Sequence, residues 1–348
     1  MTKRGWTAVV STALFVMLII AISLIPVPFV RWSSGPAIDL LGSNGDNSVL
    51  QISGANSYPA TGELLLPTVS VTKADSEMTL PQAFLAYVMP DETVLPREKV
   101  YPAGLPADQQ QGNENKLMTD SQRDAAVAAL MAAGIPVQPL PQVTQVSSSG
   151  PSYGKVEVGD LISTVNGSVV ERRSEVRAIL NQEQPGSVIR LGLLRANQQL
   201  EVFVVAVASQ DDPSVAQIGV ELENSYQHSV DVQLNITPGV VGSSGGLPFA
   251  LAIYDDLTSG ALIDGRVVAA TGTITATGDV GSIGALRQKL RGAEHAGAQI
   301  MLVPEGNCVD IEGVDTSVTV VKVTKLTDAI TSLELLKNPS TADQVPRC

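Results

Sequence analysis

The sequence predicts a multidomain protein of mixed α and β structure (α+β or α/β) behind an N-terminal transmembrane helix. Three observations predict this class. An uncharged apolar run, Trp6 to Val30, lies at the start of the chain. After it, short strand-like segments recur between glycine- and proline-containing turns and alternate with alanine- and leucine-rich helical stretches. The length of 348 residues fits two or three domains after the apolar run.

The apolar run is long enough to span a bilayer. Lys3 and Arg4 precede it, Arg31 follows it, and two leading basic residues favour a cytoplasmic N-terminus. Residues 1–31 are therefore expected to be the cytoplasmic tip and anchor of a single-pass protein of the cell membrane, with the bulk of the chain extracytoplasmic. A cleaved signal peptide is the alternative. No small-x-small site follows the apolar core, which favours an uncleaved anchor.

Residues 32–136 are expected to form an N-terminal extracytoplasmic segment of strands plus one helix. Short strands broken by glycine and asparagine are predicted between Ile38 and Thr72. The polar stretch Gln109–Asn115 is interpreted as a loop. The run Thr119–Gln122 fits a capping box that opens an alanine-rich helix, and this helix is expected to end near Gly134.

The run Val158–Gly167, VGDLISTVNG, resembles the G-D-x-I-x-x-V-N-G hairpin of PDZ domains, and the likeness covers residues 137–208. The helix and two strands that complete it are Ser174–Asn181, Val188–Leu194 and Leu200–Val207. PDZ domains bind an extended peptide as an added strand, so the resemblance implies a polypeptide partner held through an extended segment or its C-terminus. A carboxylate-binding loop would then lie before the first strand, around Ala133–Val137. A PDZ fold used only for internal packing is the alternative.

A strand, a glycine-rich turn and a helix follow one another in the C-terminal part. Val230–Ile236 alternates apolar and polar residues, as a half-buried strand does. The turn Gly242–Gly246, GSSGG, then precedes an apolar helix over Leu247–Leu257. A serine there lies near free N–H groups at the positive end of the helix dipole. Ser244 is the candidate nucleophile because two glycines follow it. The alternatives are Ser243 as nucleophile and a serine that serves only as a helix N-cap.

Lys289 is the candidate base. It shares one helical face with Leu286, Leu290 and Ala293 by i, i+3, i+4 and i+7 spacing. A lysine on an apolar face is desolvated, which lowers its pKa and favours the neutral amine that a base requires. The alternative is a side chain whose stem packs while its ammonium group reaches water.

Residues from about 215 to 335 resemble the proteolytic domain of Lon-type serine proteases, and the domain is expected to cover 215–348. The matching blocks are Gly242–Gly246, Thr271–Ile274, Gly278–Lys289 and Pro304–Asn307. The resemblance implies Ser244 as nucleophile, Lys289 as general base and Thr271 as a supporting hydroxyl. The backbone N–H groups expected to form the oxyanion hole are those of Gly242, Ser243 and Gly245. Lon-like domains often assemble as rings, so the resemblance leaves a homo-oligomer open.

Four positions depart from that pattern. Val240 and Val241 stand where the family often has Lys-Asp, Ser243 replaces the proline before the nucleophile, and Ala285 replaces the second glycine of I-G-G. These departures motivate an alternative: a non-catalytic, membrane-tethered PDZ scaffold with a degenerate protease fold. A third hypothesis is a protein that cuts its own N-terminal segment.

The leading prediction is an ATP-independent, membrane-anchored serine endopeptidase with a Ser-Lys dyad and a PDZ domain that positions polypeptide substrates. The sequence contains no G-x-x-x-x-G-K-[ST] phosphate-binding loop, so ATP-driven unfolding is not expected. No cofactor is expected. His228 and His295 are isolated and form no metal-binding motif, so no metal site is expected either.

Charge and cysteine usage add two expectations. The formal net charge of −13 argues against nucleic acid and against an anionic membrane surface as partners. Cys308 and Cys348 are the two cysteines, and an even number in an exported chain permits a disulfide between them. Two free thiols are the alternative.

Overall fold

The computed structural model describes residues 3–44, 47–73, 76–89, 91–101, 106–196, 198–210, 212–236 and 238–348. Within these ranges there are eight α-helices and two 3-10 helices. The α-helices are α1 Lys3–Ser23, α2 Leu80–Val88, α3 Arg97–Val100, α4 Ala107–Ala132, α5 Arg173–Leu180, α6 Gly246–Leu257, α7 Leu286–His295 and α8 Leu326–Leu335. The 3-10 helices are Glu305–Ile311 and Ala342–Gln344.

The same ranges contain strands of very different length, and many are two-residue pairings at turns. The strands are β1 Pro26–Val27, β2 Phe29–Asp39, β3 Ser43–Asn44, β4 Asn47–Ser48, β5 Leu50–Ser53, β6 Glu63–Val71, β7 Met78–Thr79, β8 Thr93–Pro96, β9 Gln138–Val146, β10 Leu161–Val165, β11 Ser168–Val169, β12 Val188–Arg195, β13 Gln198–Val205, β14 Val207–Ala208, β15 Ala216–Gln217, β16 Val220–Gln227, β17 Asp231–Leu234, β18 Val267–Ala270, β19 Thr273–Ile274, β20 Val280–Gly281, β21 Ile300–Pro304 and β22 Thr319–Val323.

The chain divides into two compact units, and their boundaries differ from the predicted ones. The first unit joins Met1–Gly134 to Val230–Cys348, and the second is Ile135–Ser229. Residues 32–134, expected as a separate segment, thus belong to the same unit as the Gly242–Gly246 turn. Residues 215–229, expected in the proteolytic domain, belong to the second unit. Strand pairing between distant parts of the chain produces this arrangement, and sequence pattern alone does not reveal such pairing.

The first unit is built on a mixed six-stranded sheet with the order β22-β21-β18-β6-β2-β8. The pairings among β22, β21, β18 and β6 are parallel, whereas β2 runs antiparallel to both β6 and β8. Three of the six strands come from before residue 100, and three come from after residue 266. The N-terminal segment therefore supplies half of the sheet that supports the candidate site.

Helices cover both faces of this sheet. Leu65 on β6 joins a buried cluster with Leu286 and Leu290 of α7. Its neighbour Leu66 points to the opposite face, because side chains alternate along a strand. The N-terminus of α6 lies beside Leu66 on that face, and α4 and α8 pack against α6. The run Leu64–Leu66 is apolar without alternation because both faces of its strand are buried.

Helix α4 begins earlier than the sequence predicts. Gln109–Asn115, interpreted as a loop, lies within the helix, and Pro106 is the N-cap. Thr119, assigned to a capping box, is an interior residue whose Oγ1 donates to the Asn115 carbonyl at 3.1 Å. The end of the helix at Ala132 agrees with the expected end near Gly134. Helix α4 packs against α6, and its buried residues lie from Met118 onward. The packing of this later part supports the polar stretch before it, whose own helix propensity is modest.

The second unit contains a sheet with the order β13-β12-β10-β9-β16, in which β11 pairs with β10. Its core is a buried cluster of valine, leucine and isoleucine side chains, and α5 contributes Val176 and Leu180. The predicted helix and the two predicted strands are present within one or two residues of their expected ends. Strand β16 was not expected in this unit; it pairs antiparallel with β9 from Val220↔Val146 to Gln227↔Gln138.

Helix α1 contains a 19-residue span, Gly5–Ser23, with a mean hydropathy of 2.2 and no buried part. By length and composition it could cross a membrane or serve as a signal sequence.

Near the C-terminus, a disulfide joins Cys308 and Cys348, whose Cα atoms are 5.2 Å apart. This bond connects the first 3-10 helix to the tail that pairs along β22 through Val321 and Arg347.

Candidate active site

The glycine-rich turn leads directly into α6. Gly242 adopts a left-handed φ of +94°, and Gly245 is the N-cap. A Cβ atom on Gly246 would lie 2.8 Å from the backbone nitrogen of Ile274, so this position has room for glycine alone. The turn is fixed from the other side by Leu247 N–H, which donates to the Gly272 carbonyl at 3.0 Å. The backbone of the turn is therefore held rigidly at the head of an apolar helix.

Ser244 and Lys289 meet across the 45 positions that separate them. Lys289 Nζ donates to Ser244 Oγ at 2.6 Å. Ser244 is partly exposed in the turn before α6, whereas Lys289 lies in the second turn of α7. The hydroxyl of this partly exposed residue contacts the amine of a buried lysine, which is the arrangement that a serine nucleophile and its base require.

Lys289 is 5% exposed and lies on the apolar side of α7, as its spacing predicted. Its helical neighbours Leu286, Leu290 and Ala293 are buried beneath the same face. Burial lowers the pKa of Lys289 from 10.5 to about 8. Desolvation is the cause, because a charged ammonium group loses its hydration there while the neutral amine loses little.

Thr271 completes a three-residue cluster. It is fully buried, its Oγ1 accepts a hydrogen bond from Lys289 Nζ at 3.1 Å, and it donates to the Ser244 carbonyl at 3.2 Å. Gly272 N–H also donates to that carbonyl, at 2.9 Å. The threonine thus contacts both the amine and the backbone of the serine, which fixes the position of each relative to the other.

The amides of the turn are only partly as expected. Gly242 N–H, predicted to belong to the oxyanion hole, donates to the Glu114 carbonyl of α4 at 3.3 Å and so points away from the serine. In the described part of the chain, the N–H groups of Ser243, Ser244 and Gly245 have no acceptor. The available donors are therefore the predicted Ser243 and Gly245 amides together with that of Ser244 itself.

Helix α4 contributes a residue that the sequence analysis missed. Ser121 is 5% exposed, and its Oγ donates to the Ser243 carbonyl at 3.0 Å. It also touches Gly246, because a Cβ atom there would lie 2.9 Å from Ser121 Oγ. A signal was available: Ser121 is in phase with the buried Ala125 and Ala128 of the alanine-rich helix, and a buried serine needs a hydrogen-bond partner.

Asn307 fixes the turn that precedes α7. Its Oδ1 accepts from Ile283 N–H at 2.9 Å, and its Nδ2 donates to the Ile283 carbonyl at 2.9 Å and to Asp310 Oδ2 at 2.6 Å. At 4% exposed, this amide is buried with both ends satisfied. The P-x-x-N block of the sequence therefore holds the loop from which the lysine helix starts.

Ala285 explains one departure from the expected glycine pattern. It is the N-cap of α7 and has φ +59° and ψ +37°, a left-handed conformation. Glycine adopts this conformation freely, whereas a residue with a Cβ atom is strained there. The chain keeps the backbone shape that a glycine would give and tolerates the strain of an alanine.

The second unit contains a sheet edge beside a helix. Among the described strands, β16 has β9 as its one neighbour, and α5 packs near both strands. Arg173 N–H at the start of α5 donates to Asn224 Oδ1 of β16 at 3.0 Å. The loop that leads into this edge strand follows β15, far from the Ala133–Val137 segment where a carboxylate-binding loop was expected.

Comparison with known protein families identifies both regions. Residues 204–335 match the family model of the Lon protease (S16) C-terminal proteolytic domain, and residues 121–205 match that of the PDZ domain. These matches confirm the two expected domain types. The PDZ match ends before β16, although this strand completes the sheet of the second unit.

The curated relatives are Lon proteases. Lon protease 1 of Bacillus subtilis is 28% identical over 170 residues, which are 48% of this chain and 21% of the relative. Lon protease 2 of Herpetosiphon aurantiacus is 37% identical over 117 residues, 32% of this chain and 14% of the relative. The chain thus spans about a fifth or less of the length of these relatives. Among solved structures, the PDZ domain of an SdrC-like protein from Listeria monocytogenes is 17% identical, covering 24% of this chain and 85% of that chain with a TM-score of 0.22.

Proposed function

We propose that this chain, which carries a PDZ domain and the proteolytic domain of Lon-type serine proteases, is a serine endopeptidase with Ser244 as nucleophile and Lys289 as general base. The observation that supports this most directly is the 2.6 Å contact between Lys289 Nζ and Ser244 Oγ. A buried lysine is costly, and this one has a serine and a threonine hydroxyl as partners instead of a carboxylate. The arrangement favours a neutral amine.

The first half of the reaction forms an acyl-enzyme. Neutral Lys289 takes the proton of Ser244 as Oγ attacks the carbonyl carbon of a peptide bond. The resulting oxyanion is stabilised by the N–H groups of Ser243, Ser244 and Gly245. Lys289, now an ammonium group, gives its proton to the nitrogen of the leaving peptide, and the C–N bond breaks.

The second half releases the acyl group. Water gives a proton to Lys289 and attacks the ester carbonyl, and the same amides stabilise the second oxyanion. The ester bond breaks, Ser244 Oγ regains a proton from Lys289, and a peptide with a new C-terminal carboxylate leaves. Thr271 contacts both groups throughout, so it preserves the short distance between the amine and the serine.

A fluorophosphonate probe tests the dyad, because it reacts covalently with activated serine hydroxyls. We expect the wild-type chain to be labelled and Ser244→Ala and Lys289→Ala to be unlabelled. Lys289→Arg should also be unlabelled, since a guanidinium group stays protonated and cannot act as a base.

Two variants at exposed positions serve as matched controls: Ser340→Ala and Lys73→Ala should label like the wild type. Labelling that persists in Ser244→Ala would contradict the assignment of the nucleophile. An unlabelled wild-type chain would instead support the alternative function, a membrane-tethered scaffold whose protease fold is inactive.

The proposal includes two further properties. The sequence carries no phosphate-binding loop, which supports peptidase activity without ATP. The exposed apolar helix α1 supports a single-pass anchor in the cell membrane, with the two leading basic residues on the cytoplasmic side and both folded units outside the cytoplasm.

We further propose that polypeptide substrates bind the second unit at the outer edge of β16. An edge strand presents backbone N–H and C=O groups to an added strand, and α5 lies alongside to accept side chains. This placement supports substrate positioning by the PDZ domain, with the loop before β16 receiving a terminal carboxylate.

Hydrogen exchange of the full chain tests this site. A peptide with a free C-terminal carboxylate should slow exchange along β16, while β13, the opposite edge of the same sheet, serves as an internal control and should not change. The same peptide with an amidated C-terminus should protect less. Equal protection of both edges, or of neither, would contradict the proposed groove.

A further inference from the structure

Helix α2 has its small residues buried and its large apolar residues exposed. Ala83 and Ala86, at 7% and 2% exposed, face the protein and join Met78 in a small buried cluster. On the outside, Phe84 is 66% exposed and Tyr87 is 78% exposed. The other exposed large side chains of this segment are Leu80, Leu85, Val88 and Met89. A helix that packs on a domain and faces water normally has the reverse pattern.

No charge interrupts this outer face. The ten residues from Leu80 to Met89 read LPQAFLAYVM and include no charged side chain. Gln82 is the one amide side chain among them, and its Oε1 accepts a hydrogen bond from Thr79 N–H at the start of the helix. A contiguous exposed apolar patch of this kind marks a surface that contacts another protein or a membrane.

The start of α2 is bonded to the end of the candidate anchor. The short strand β1 is separated from the end of α1 by two residues, and it pairs with β7 through Pro26↔Thr79 and Val27↔Met78. Thr79 is also the N-cap of α2, and Leu80 N–H donates to the Ile25 carbonyl at 3.2 Å. Leu24 and Ile25, in the connection, are themselves exposed. The apolar surface of α1 therefore continues through this connection to α2.

We propose that α2 lies in the interface of the same bilayer that α1 crosses, with the face formed by Leu80, Phe84, Leu85, Tyr87, Val88 and Met89 inserted between the lipid headgroups and acyl chains. The inference rests on the proposed membrane anchoring by α1. At about 13 Å, α2 is too short to span a bilayer, so it lies along the surface. Helices of this type insert by roughly 5–10 Å, and an amphipathic aromatic such as Tyr87 suits that depth.

A bilayer is favoured over a second copy of the chain because the backbone connection between α1 and α2 fixes where α2 lies. A backbone hydrogen bond places the first residue of α2 next to the residue that leaves the anchor, so α2 is at the membrane surface whenever α1 spans the membrane. The absence of charge from the patch also removes the desolvation cost that a charged helix would incur. The consequence is a protease unit held close to the membrane at two points.

Spin-label accessibility in the full chain tests the proposal. The two native cysteines form a disulfide, so a single introduced cysteine is the one thiol that a nitroxide label can modify. Phe84→Cys and Tyr87→Cys are each labelled, and the protein is reconstituted into phosphatidylcholine vesicles. Collision rates are measured with oxygen, which concentrates in the bilayer, and with a water-soluble nickel chelate, which does not enter it.

Two matched controls calibrate the measurement. Phe15→Cys lies in the middle of α1 and should report the bilayer interior if the anchor spans. Thr331→Cys lies on the exposed side of α8 and should report water. We expect the ratio of oxygen to nickel collisions at positions 84 and 87 to exceed that at 331 severalfold and to lie below that at 15.

The other outcomes overturn the inference in distinguishable ways. Nickel access at 84 and 87 equal to that at 331 would show a water-facing helix. Exclusion of both collision partners would show a protein contact, as in a dimer of this chain. Water access at position 15 as well would contradict the anchor on which the inference rests. None of these readings depends on peptidase activity, which is measured separately with the fluorophosphonate probe.

Discussion

At the scale of single residues, the chemistry of the candidate site follows from the burial of one amine. Lys289 has no carboxylate partner in the described structure, and its contacts are the hydroxyls of Ser244 and Thr271. Neutral hydroxyls stabilise an ammonium ion less than a carboxylate does, so desolvation prevails and the pKa falls to about 8. At neutral pH roughly a tenth of the molecules then carry the free amine that can accept the serine proton.

The pH dependence of activity should report this group. Because the neutral amine is the reactive form, kcat/KM should rise about tenfold per pH unit below about 8 and level off above it. The measurement is the rate of peptide cleavage, or of fluorophosphonate labelling, on both sides of that pH.

Stability should also rise with pH, but over a higher interval than activity. The pKa of Lys289 is about 8 in the folded chain and 10.5 ordinarily, so the unfolded chain binds more protons between these values and stability rises with pH across them.

The control for the activity profile is Lys73→Ala, which should leave the midpoint of that profile unchanged. A profile that is flat, or that rises only near 10.5, would contradict the assignment of Lys289 as base.

Ala285 should be a site where glycine stabilises the chain. The left-handed conformation costs a residue with a Cβ atom about 1–2 kcal/mol, and part of the gain is offset by the greater freedom of glycine in the unfolded chain. Ala285→Gly is therefore expected to raise the free energy of unfolding by about 1 kcal/mol, measured by denaturant titration.

An ordinary helical position gives the control for that substitution. Ala132 ends α4 and is not among the described residues with positive φ. Ala132→Gly should lower the free energy of unfolding by up to about 1 kcal/mol, because glycine is the poorer helix former. Equal losses in both variants would show that the backbone at Ala285 is not strained.

At the scale of secondary-structure elements, the candidate site depends on the elements that contact α6 and α7. Helix α4 contacts the Gly242–Gly246 turn through Ser121 and through the Glu114 carbonyl. The first 3-10 helix holds the turn before α7 through Asn307. Ser121 precedes Ser244 by 123 positions (244 − 121), and Asn307 follows Lys289 by 18 (307 − 289), so the alignment of α6 and α7 depends on elements outside both helices.

Asn307→Asp should lower kcat although Asn307 contacts the turn before α7 and neither Ser244 nor Lys289. The variant keeps the acceptor for Ile283 N–H but loses the amide donor, so a carboxylate would face the Ile283 carbonyl and the Asp310 carboxylate. Losing such contacts costs on the order of 1–3 kcal/mol, so we expect kcat to fall at least about tenfold.

The same variant should also move the pH profile. If the turn before α7 loosens, water reaches Lys289, its pKa returns toward the ordinary value, and the midpoint of the activity profile rises. Asp310→Asn keeps an acceptor oxygen for Asn307 and should behave nearly like the wild type. A reduced rate with an unmoved midpoint in Asn307→Asp would show that Asn307 acts on stability alone.

At the scale of the whole molecule, the first unit is closed by strands from both ends of the chain, and the second unit is the sequence insertion Ile135–Ser229. In the proposed arrangement, α1 and α2 attach the first unit to a membrane. The sequence carries no G-x-x-x-x-G-K-[ST] loop. The ATP-independent activity proposed above implies that substrate reaches Ser244 as an already extended segment.

Activity without ATP-driven unfolding predicts a preference for unfolded over native substrates. A reduced and carboxymethylated, unfolded protein should be cleaved on the order of a hundredfold faster than the same protein in its native state, because a native substrate exposes cleavable segments only through rare opening. Added ATP with Mg²⁺ should leave both rates unchanged. The Ser244→Ala chain is the control for contaminating proteases. A rate on native substrate that rises with ATP would contradict the ATP-independent proposal.

The sequence by itself determined the features that are local. A ten-residue hairpin pattern, the glycines around Ser244, the apolar phase of Lys289 and the uncharged run of α1 are each contained within one element, and short-range sterics and periodicity fix them. These features identified the PDZ and Lon-type domains and the residues of the candidate dyad, although the roles of those residues remain proposals.

The tertiary structure alone decided the features that join distant residues. It brought Ser244 within 2.6 Å of Lys289, gave half of the central sheet to the N-terminal segment and assigned β16 to the second unit. It also turned the Gly242 amide toward α4 and extended that helix over a stretch interpreted as a loop. Strand partners and helix contacts across a hundred or more residues depend on the packing of the whole unit, and no local propensity encodes them.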